Sequence, residues 1–180
     1  MEGTERREIE LDVYTDTHHI TGRLSTREGR LSDTLNYELP HVMVLSDATS
    51  EPLLQPEESP TQGGFMHLDT MAIAFTVPRG PELPLEERQR STAFEYVEKE
   101  RHKAVVRVPP FRFEGYLHLP KGNDVERSLW DLTPAFIPLS DATVTVSLRP
   151  NAAWHIEVVI LNRRKAQITL PRQGSIKRVG

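Results

Sequence analysis

The five residues LSDAT occur twice, at positions 45–49 and 139–143. In a chain of 180 residues a repeated segment implies a repeated structural unit, and that restricts the fold more than composition does. The likeness extends upstream. Ile20-Thr21-Gly22-Arg23-Leu24 precedes the first copy and Phe113-Glu114-Gly115-Tyr116-Leu117 the second, both reading apolar-x-Gly-x-Leu. Between glycine and LSDAT each copy pairs an arginine with an aspartate among leucines: Arg30 with Asp33, and Arg127 with Asp131. Earlier still, Ile9-Glu10-Leu11-Asp12-Val13 alternates like a half-buried strand, matched by Ala104-Val105-Val106-Arg107-Val108. Downstream, the apolar run 72–77 before Pro78-Arg79-Gly80 aligns with 156–161 before Asn162-Arg163-Arg164-Lys165.

Glycine within a strand weakens pairing, so its recurrence points to a sharp bend at a barrel corner. Asp-Ala-Thr after an apolar run reads as a strand exit, with aspartate capping the turn. Residues 50–64, rich in Pro, Ser and Glu, read as a loop. Residues 84–101 have the acidic first turn and one apolar face of a connecting helix. Residues 172–180 form a basic tail. The expected fold class is mainly β: two tandem small Sm-like or SH3-like barrels, at 8–80 and 103–171, with the helix 84–101 between them.

The unit resembles the Sm-like barrel, the family of LSm and bacterial Hfq-like proteins. Ile20-x-Gly22-x-Leu24, then Asp33 and Asn36, then Val42-Met43-Val44-Leu45-Ser46-Asp47-Ala48 match its first motif. Phe75-Thr76-Val77-Pro78-Arg79-Gly80 is similar to its second, an apolar strand ending Arg-Gly. The chain departs from that pattern in the extra residues holding the Arg/Asp/Leu turn. It also has Leu132-Thr133-Pro134 where the second copy should carry asparagine. In its Arg-x-x-Asp-x-Leu-Asn turn it looks closer to a poorly characterised bacterial domain family of unknown function. The resemblance implies association through unpaired strand edges, and an RNA path lined by the turns.

The absence of cysteine removes disulfides, thiolate metal sites and a cysteine nucleophile, and favours a cytoplasmic protein. No apolar run reaches membrane-spanning length. Residues 1–101 hold 20 acidic and 10 basic residues, and residues 102–180 hold 6 and 12. The acidic half argues against non-specific nucleic-acid binding by the whole chain. The basic half leaves local binding open, and the two halves should attract each other.

Candidate binding residues follow from the turns. Arg30 and Asn36 would contact a phosphate and a base edge. Equally, Arg30 and Asp33 form an i,i+3 pair, with Asn36 ending the turn in a left-handed conformation. The structural reading is preferred, because the second copy keeps Arg127 and Asp131 without the asparagine. Arg79, Arg163, Arg164 and Lys165 crowd positive charge into turns, which calls for an anionic partner or an acidic neighbour. The seven histidines show no metal-ligand spacing, and no serine sits in a nucleophile elbow. The aromatic residues of the second half suit a core. The chain is therefore expected to be a non-enzymatic scaffold without cofactor or metal, associating with itself or with a protein partner. RNA binding through the basic turns is the alternative. Neither a membrane nor a small-molecule substrate is indicated.

Overall fold

A computed structural model of the chain describes residues 6–27, 30–39, 41–55, 57–80, 98–130, 134–147 and 149–171. The protein is mainly β. Ten strands form one open antiparallel sheet in the order β10-β6-β7-β8-β9-β5-β1-β2-β3-β4. The first half holds β1 (Arg7–Thr15), β2 (His18–Thr26), a helical turn α1 (Leu31–Asp33), β3 (Val42–Pro52), β4 (Thr61–Asp69) and β5 (Ile73–Arg79). The second holds β6 (Lys99–Val108), β7 (Phe111–Pro120), helix α2 (Val125–Trp130), β8 (Phe136–Val146), β9 (Arg149–Asn162) and β10 (Gln167–Thr169). Each half places its last strand beside its first, β5 against β1 and β10 against β6. The halves join where β5 pairs with β9, Phe75 opposite Leu161 and Thr76 opposite Ile160.

The repeated pentapeptide is a β-bulge, in the middle of β3 and β8 rather than at a strand exit. Thr21 pairs with Thr49 and Arg23 with Ser46, so Gly22 alone faces Asp47 and Ala48. Gly115 faces Asp141 and Ala142 in the same way. The extra residue bends the strand, and each aspartate takes a left-handed backbone, φ 47° and 49°. That bend presses β3 and β8 onto the glycines. A Cβ on Gly22 would lie 3.0 Å from the Leu45 Cβ, and one on Gly115 only 2.8 Å from the Ser140 carbonyl oxygen. Glycine and LSDAT are two sides of one device.

The apolar sequence runs become buried faces by simple alternation, most plainly in β7, where Phe111, Phe113, Gly115, Leu117 and Leu119 are all buried. Two core clusters result, each borrowing from the other half. Leu11, Val13, Ile20, Leu24, Leu35, Met43 and Leu45 close over Phe136 and Ile160 of the second half. Phe111, Phe113, Leu139 and Leu161 take in Ala74 and Phe75 of the first. Tyr14 stacks on Phe75 at 4.3 Å, and Phe75 meets Phe113 edge-on at 5.0 Å. Each such buried aromatic or aliphatic side chain stabilises the fold by about 1.5–3 kcal/mol. The halves therefore share their interiors across the junction.

Three further sequence expectations change. The run at 72–77 is β5, whose counterpart is β10, while β9 (Arg149–Asn162) corresponds to β4. The repeat read from sequence is offset by one strand, because β4 is an outer strand with little apolar alternation. The loop expected over 50–64 is shorter, since β3 runs to Pro52 and β4 starts at Thr61. Lys99 to Arg101, expected to end the helix, open β6 instead. Glu98 is not helical, and residues 84–97 of that helix, residues 131–133 and the basic tail lie outside the described residues.

Candidate functional site at the junction of the halves

Turns from both halves meet where β8 and β9 reach the first half. After α1 the chain widens into a π-helical turn, Thr34–Glu38, anchored by a buried hydrogen bond between the Thr26 and Thr34 hydroxyls. Asn36 lies within this turn and has no left-handed backbone. Its amide nitrogen donates to the Ser32 carbonyl at 2.7 Å and to the Phe136 carbonyl at 2.8 Å. Its oxygen accepts from the Phe136 N–H at 2.9 Å. Arg30 and Asp33 are linked by backbone, the Asp33 N–H donating to the Arg30 carbonyl.

Two short 3-10 turns complete the junction, and they are repeat counterparts. In Thr70–Ala72, Asp69 accepts from the Met71 N–H. In Arg163–Lys165, Asn162 accepts from the Arg164 N–H. The buried Asn162 also donates to the Ile73 carbonyl of the first half at 2.8 Å. Asn36 of the first half and Asn162 of the second thus each tie the two halves together. The sequence signal for this pair was an Asx residue closing each β4-type strand.

The basic turn turns inward onto neighbouring acceptors. Lys165 reaches Asp16 at 2.8 Å and the Ala72 carbonyl at 3.3 Å. Arg163 donates to the Pro134 carbonyl at 3.2 Å, and Arg164 to the Met71 sulfur at 3.1 Å. Asp16 of the acidic half supplies the counter-charge for Lys165, while Arg163 and Arg164 meet a carbonyl and a thioether. Asn36, Tyr37, His41, Met71, Phe136 and Arg164 help to line a cavity of about 370 Å3 here. With an exposed tyrosine ring and one guanidinium on its wall, it could take a planar or anionic group.

Arg79 stands elsewhere. It is the last residue of β5, and its guanidinium holds the Asp12 carboxylate with two hydrogen bonds of 2.6 Å. His19 binds the same carboxylate at 2.6 Å and stacks on Tyr14 at 4.5 Å. Burial alone would raise the Asp12 pKa, but the bonds from His19 and Arg79 outweigh it and leave it below the usual value. Burial, reinforced by the Asp12 charge, pushes Tyr14 up to about 12. Of the residues proposed from sequence, Asn36, Arg163, Arg164 and Lys165 come together, while Arg79 does not. Arg30 is exposed at the start of α1.

Sequence reading missed one further cluster on the second half. His118 Nε2 and Ser140 Oγ lie 2.8 Å apart, beside the ion pair of Arg101 with Asp141. Arg101 also lies 4.3 Å above the Tyr116 ring. Burial, with the charges of Arg101 and Lys99, lowers the His118 pKa. Asp47 in the first half is held instead by Arg23. The bulge aspartate has an arginine in each copy, drawn from β6 in one and β2 in the other. Among the described residues no three His, Cys, Asp or Glu side chains gather as a metal ion requires, and no helix is long and apolar enough to cross a membrane. Comparison of the chain with family models, with curated proteins and with solved structures gave no match.

Proposed function

We propose that this chain is a non-enzymatic scaffold built from two Sm-like barrel units that associate through strand edges. The observation that carries this reading is the β5–β9 junction, where two similarly ordered groups of five strands join edge to edge. A small domain whose outer strands keep unpaired backbone groups is prone to such association. The paired bulges and the last strand lying beside the first support the barrel-unit reading. The binding surface is therefore the sheet's two ends, β4 and β10, and the partner is a protein strand.

RNA binding at the junction cavity is the second reading, favoured by Arg164 and the exposed Tyr37 on its wall. Against it, the Asn36 amide is already engaged by backbone, and Lys165 and Arg163 have acceptors. A titration with single-stranded RNA over a salt series separates the two. Scaffolding expects no binding, with the solution mass unaffected by the combined R163A, R164A and K165A changes. Salt-dependent binding abolished by that triple change would overturn the scaffold reading in favour of RNA.

A further inference from the structure

Counted from Gly22 and Gly115, the two halves can be compared position by position. Ser25 opposite Glu8 in the first half corresponds to His118 opposite Arg101 in the second. Ser46 and Asp47 correspond to Ser140 and Asp141. In the first half the charges at this place satisfy one another, with Arg23 set between Glu8 and Asp47. In the second half they do not. Arg101 is held by Asp141 and lies 4.3 Å above the Tyr116 ring, so its guanidinium is fixed in place. Beside it His118 Nε2 and Ser140 Oγ, both part-buried, lie 2.8 Å apart.

Three cations act on His118, from two separate parts of the chain. Arg101 and Lys99 come from β6, and Arg30 comes from the residue before α1 in the first half. Asp141 of β8 is the one carboxylate among the charges that reach His118. Lys99 and Arg30 are exposed and have no ion-pair partner among the described residues. Burial, then the charges of Arg101 and Lys99, hold the His118 pKa below the ordinary 6.5. Like charges gathered around one part-buried ring repel one another, and an anion would offset that cost.

We propose that Arg30, Lys99, Arg101, His118 and Ser140 form a binding site for a dianionic phosphate monoester. Three cations against one carboxylate leave two positive charges, which the dianion cancels. Guanidinium, ammonium and hydroxyl groups are donors that phosphate oxygens accept from. With His118 Nε2–H donating to the Ser140 Oγ, the hydroxyl proton is left for the ligand. None of these residues lines the junction cavity, and the site is independent of edge association. Anion and proton help each other here. A dianion beside His118 raises its pKa, so binding strengthens as pH falls through that pKa.

The probes are sulfate, phenyl phosphate and dimethyl phosphate, each added at constant ionic strength. The ring resonances of His118, identified by their loss in His118→Gln, report occupancy by NMR. Sulfate and phenyl phosphate should shift them to saturation. Lys99→Gln and Arg30→Gln, both at exposed positions, should each weaken binding about 2–5-fold. Arg107→Gln, on the same face of β6 but outside the cluster, should leave it unchanged. Sulfate keeps its double charge from neutrality into mild acid, so its affinity for the wild type should rise over that range. Calorimetry should show that rise abolished in His118→Gln. Dimethyl phosphate, a monoanion like a nucleic-acid backbone, should bind far more weakly. Equal binding of the diester, equal weakening by Arg107→Gln, or no saturable shift with either dianion overturns the proposal.

Discussion

Asn36 closes a two-bond ring with the backbone of Phe136, donating to its carbonyl at 2.8 Å and accepting from its N–H at 2.9 Å. An amide so placed imitates a short piece of strand and joins the halves. Replacing Asn36 by alanine removes both bonds, and the one to the Ser32 carbonyl, and strands a part-buried peptide group, which should lower stability by about 2–3 kcal/mol. Urea unfolding measures it. Had Asn36 been a base-reading residue held open for a ligand, the change would be near neutral.

The two glycines should not be equally sensitive. A Cβ at Gly115 meets a backbone oxygen at 2.8 Å, whereas at Gly22 the nearest atom is the Leu45 Cβ at 3.0 Å. Overpacking of this kind costs about 1–3 kcal/mol, and Gly115→Ala should fall at the upper end and Gly22→Ala at the lower. Melting temperatures of the two variants, taken side by side, decide the order.

The bulge aspartates are chosen for backbone before charge. At φ 47°, asparagine is tolerated and a β-branched residue is not. Asp47→Asn should lose only the exposed pair with Arg23, under about 1 kcal/mol. Asp47→Val should lose a further 1–3 kcal/mol or so from backbone strain. The same order is expected at Asp141. Equal effects of the two substitutions in denaturation experiments would show that the ion pair is what matters.

Asp12 gives the fold an acid-sensitive contact. Its pKa is lower in the folded protein than the ordinary 3.8, so the folded state favours the carboxylate. The stabilisation is complete above that ordinary value and is lost as pH falls through the lowered one. The stability difference between wild type and Asp12→Asn should therefore be constant near neutrality and shrink in strong acid. Denaturant midpoints measured from pH 6 downwards test this. A difference that persists unchanged in strong acid would remove the carboxylate from the explanation.

Local pattern revealed much of this fold, and long-range pairing revealed the rest. Gly22 with LSDAT and Gly115 with LSDAT were visible as a repeated unit, since a bulge needs its glycine and its aspartate wherever it occurs. The strand β4 (Thr61–Asp69) was hidden in an apparent loop, because an outer strand faces solvent and need not alternate. Missing it shifted the repeat by one strand and placed Arg79 in a turn, when it ends β5 and holds Asp12. The basic turn at Arg163–Lys165 was found from charge alone, and the acidic half was a foreseeable partner. The role of Asn36 was not foreseeable, since its partner Phe136 is 100 residues away. A sequence motif records the chemistry of a side chain but not which distant peptide it will meet.

The most direct measurement is the mass of the wild-type protein in solution across a concentration series, by light scattering or sedimentation equilibrium. Edge association expects an assembly heavier than 20.5 kDa that is lost when both outer strands are blocked in one variant, by Phe65→Lys on β4 and Gln167→Pro on β10. A single 20.5 kDa species at every concentration, identical in the variant, would contradict it.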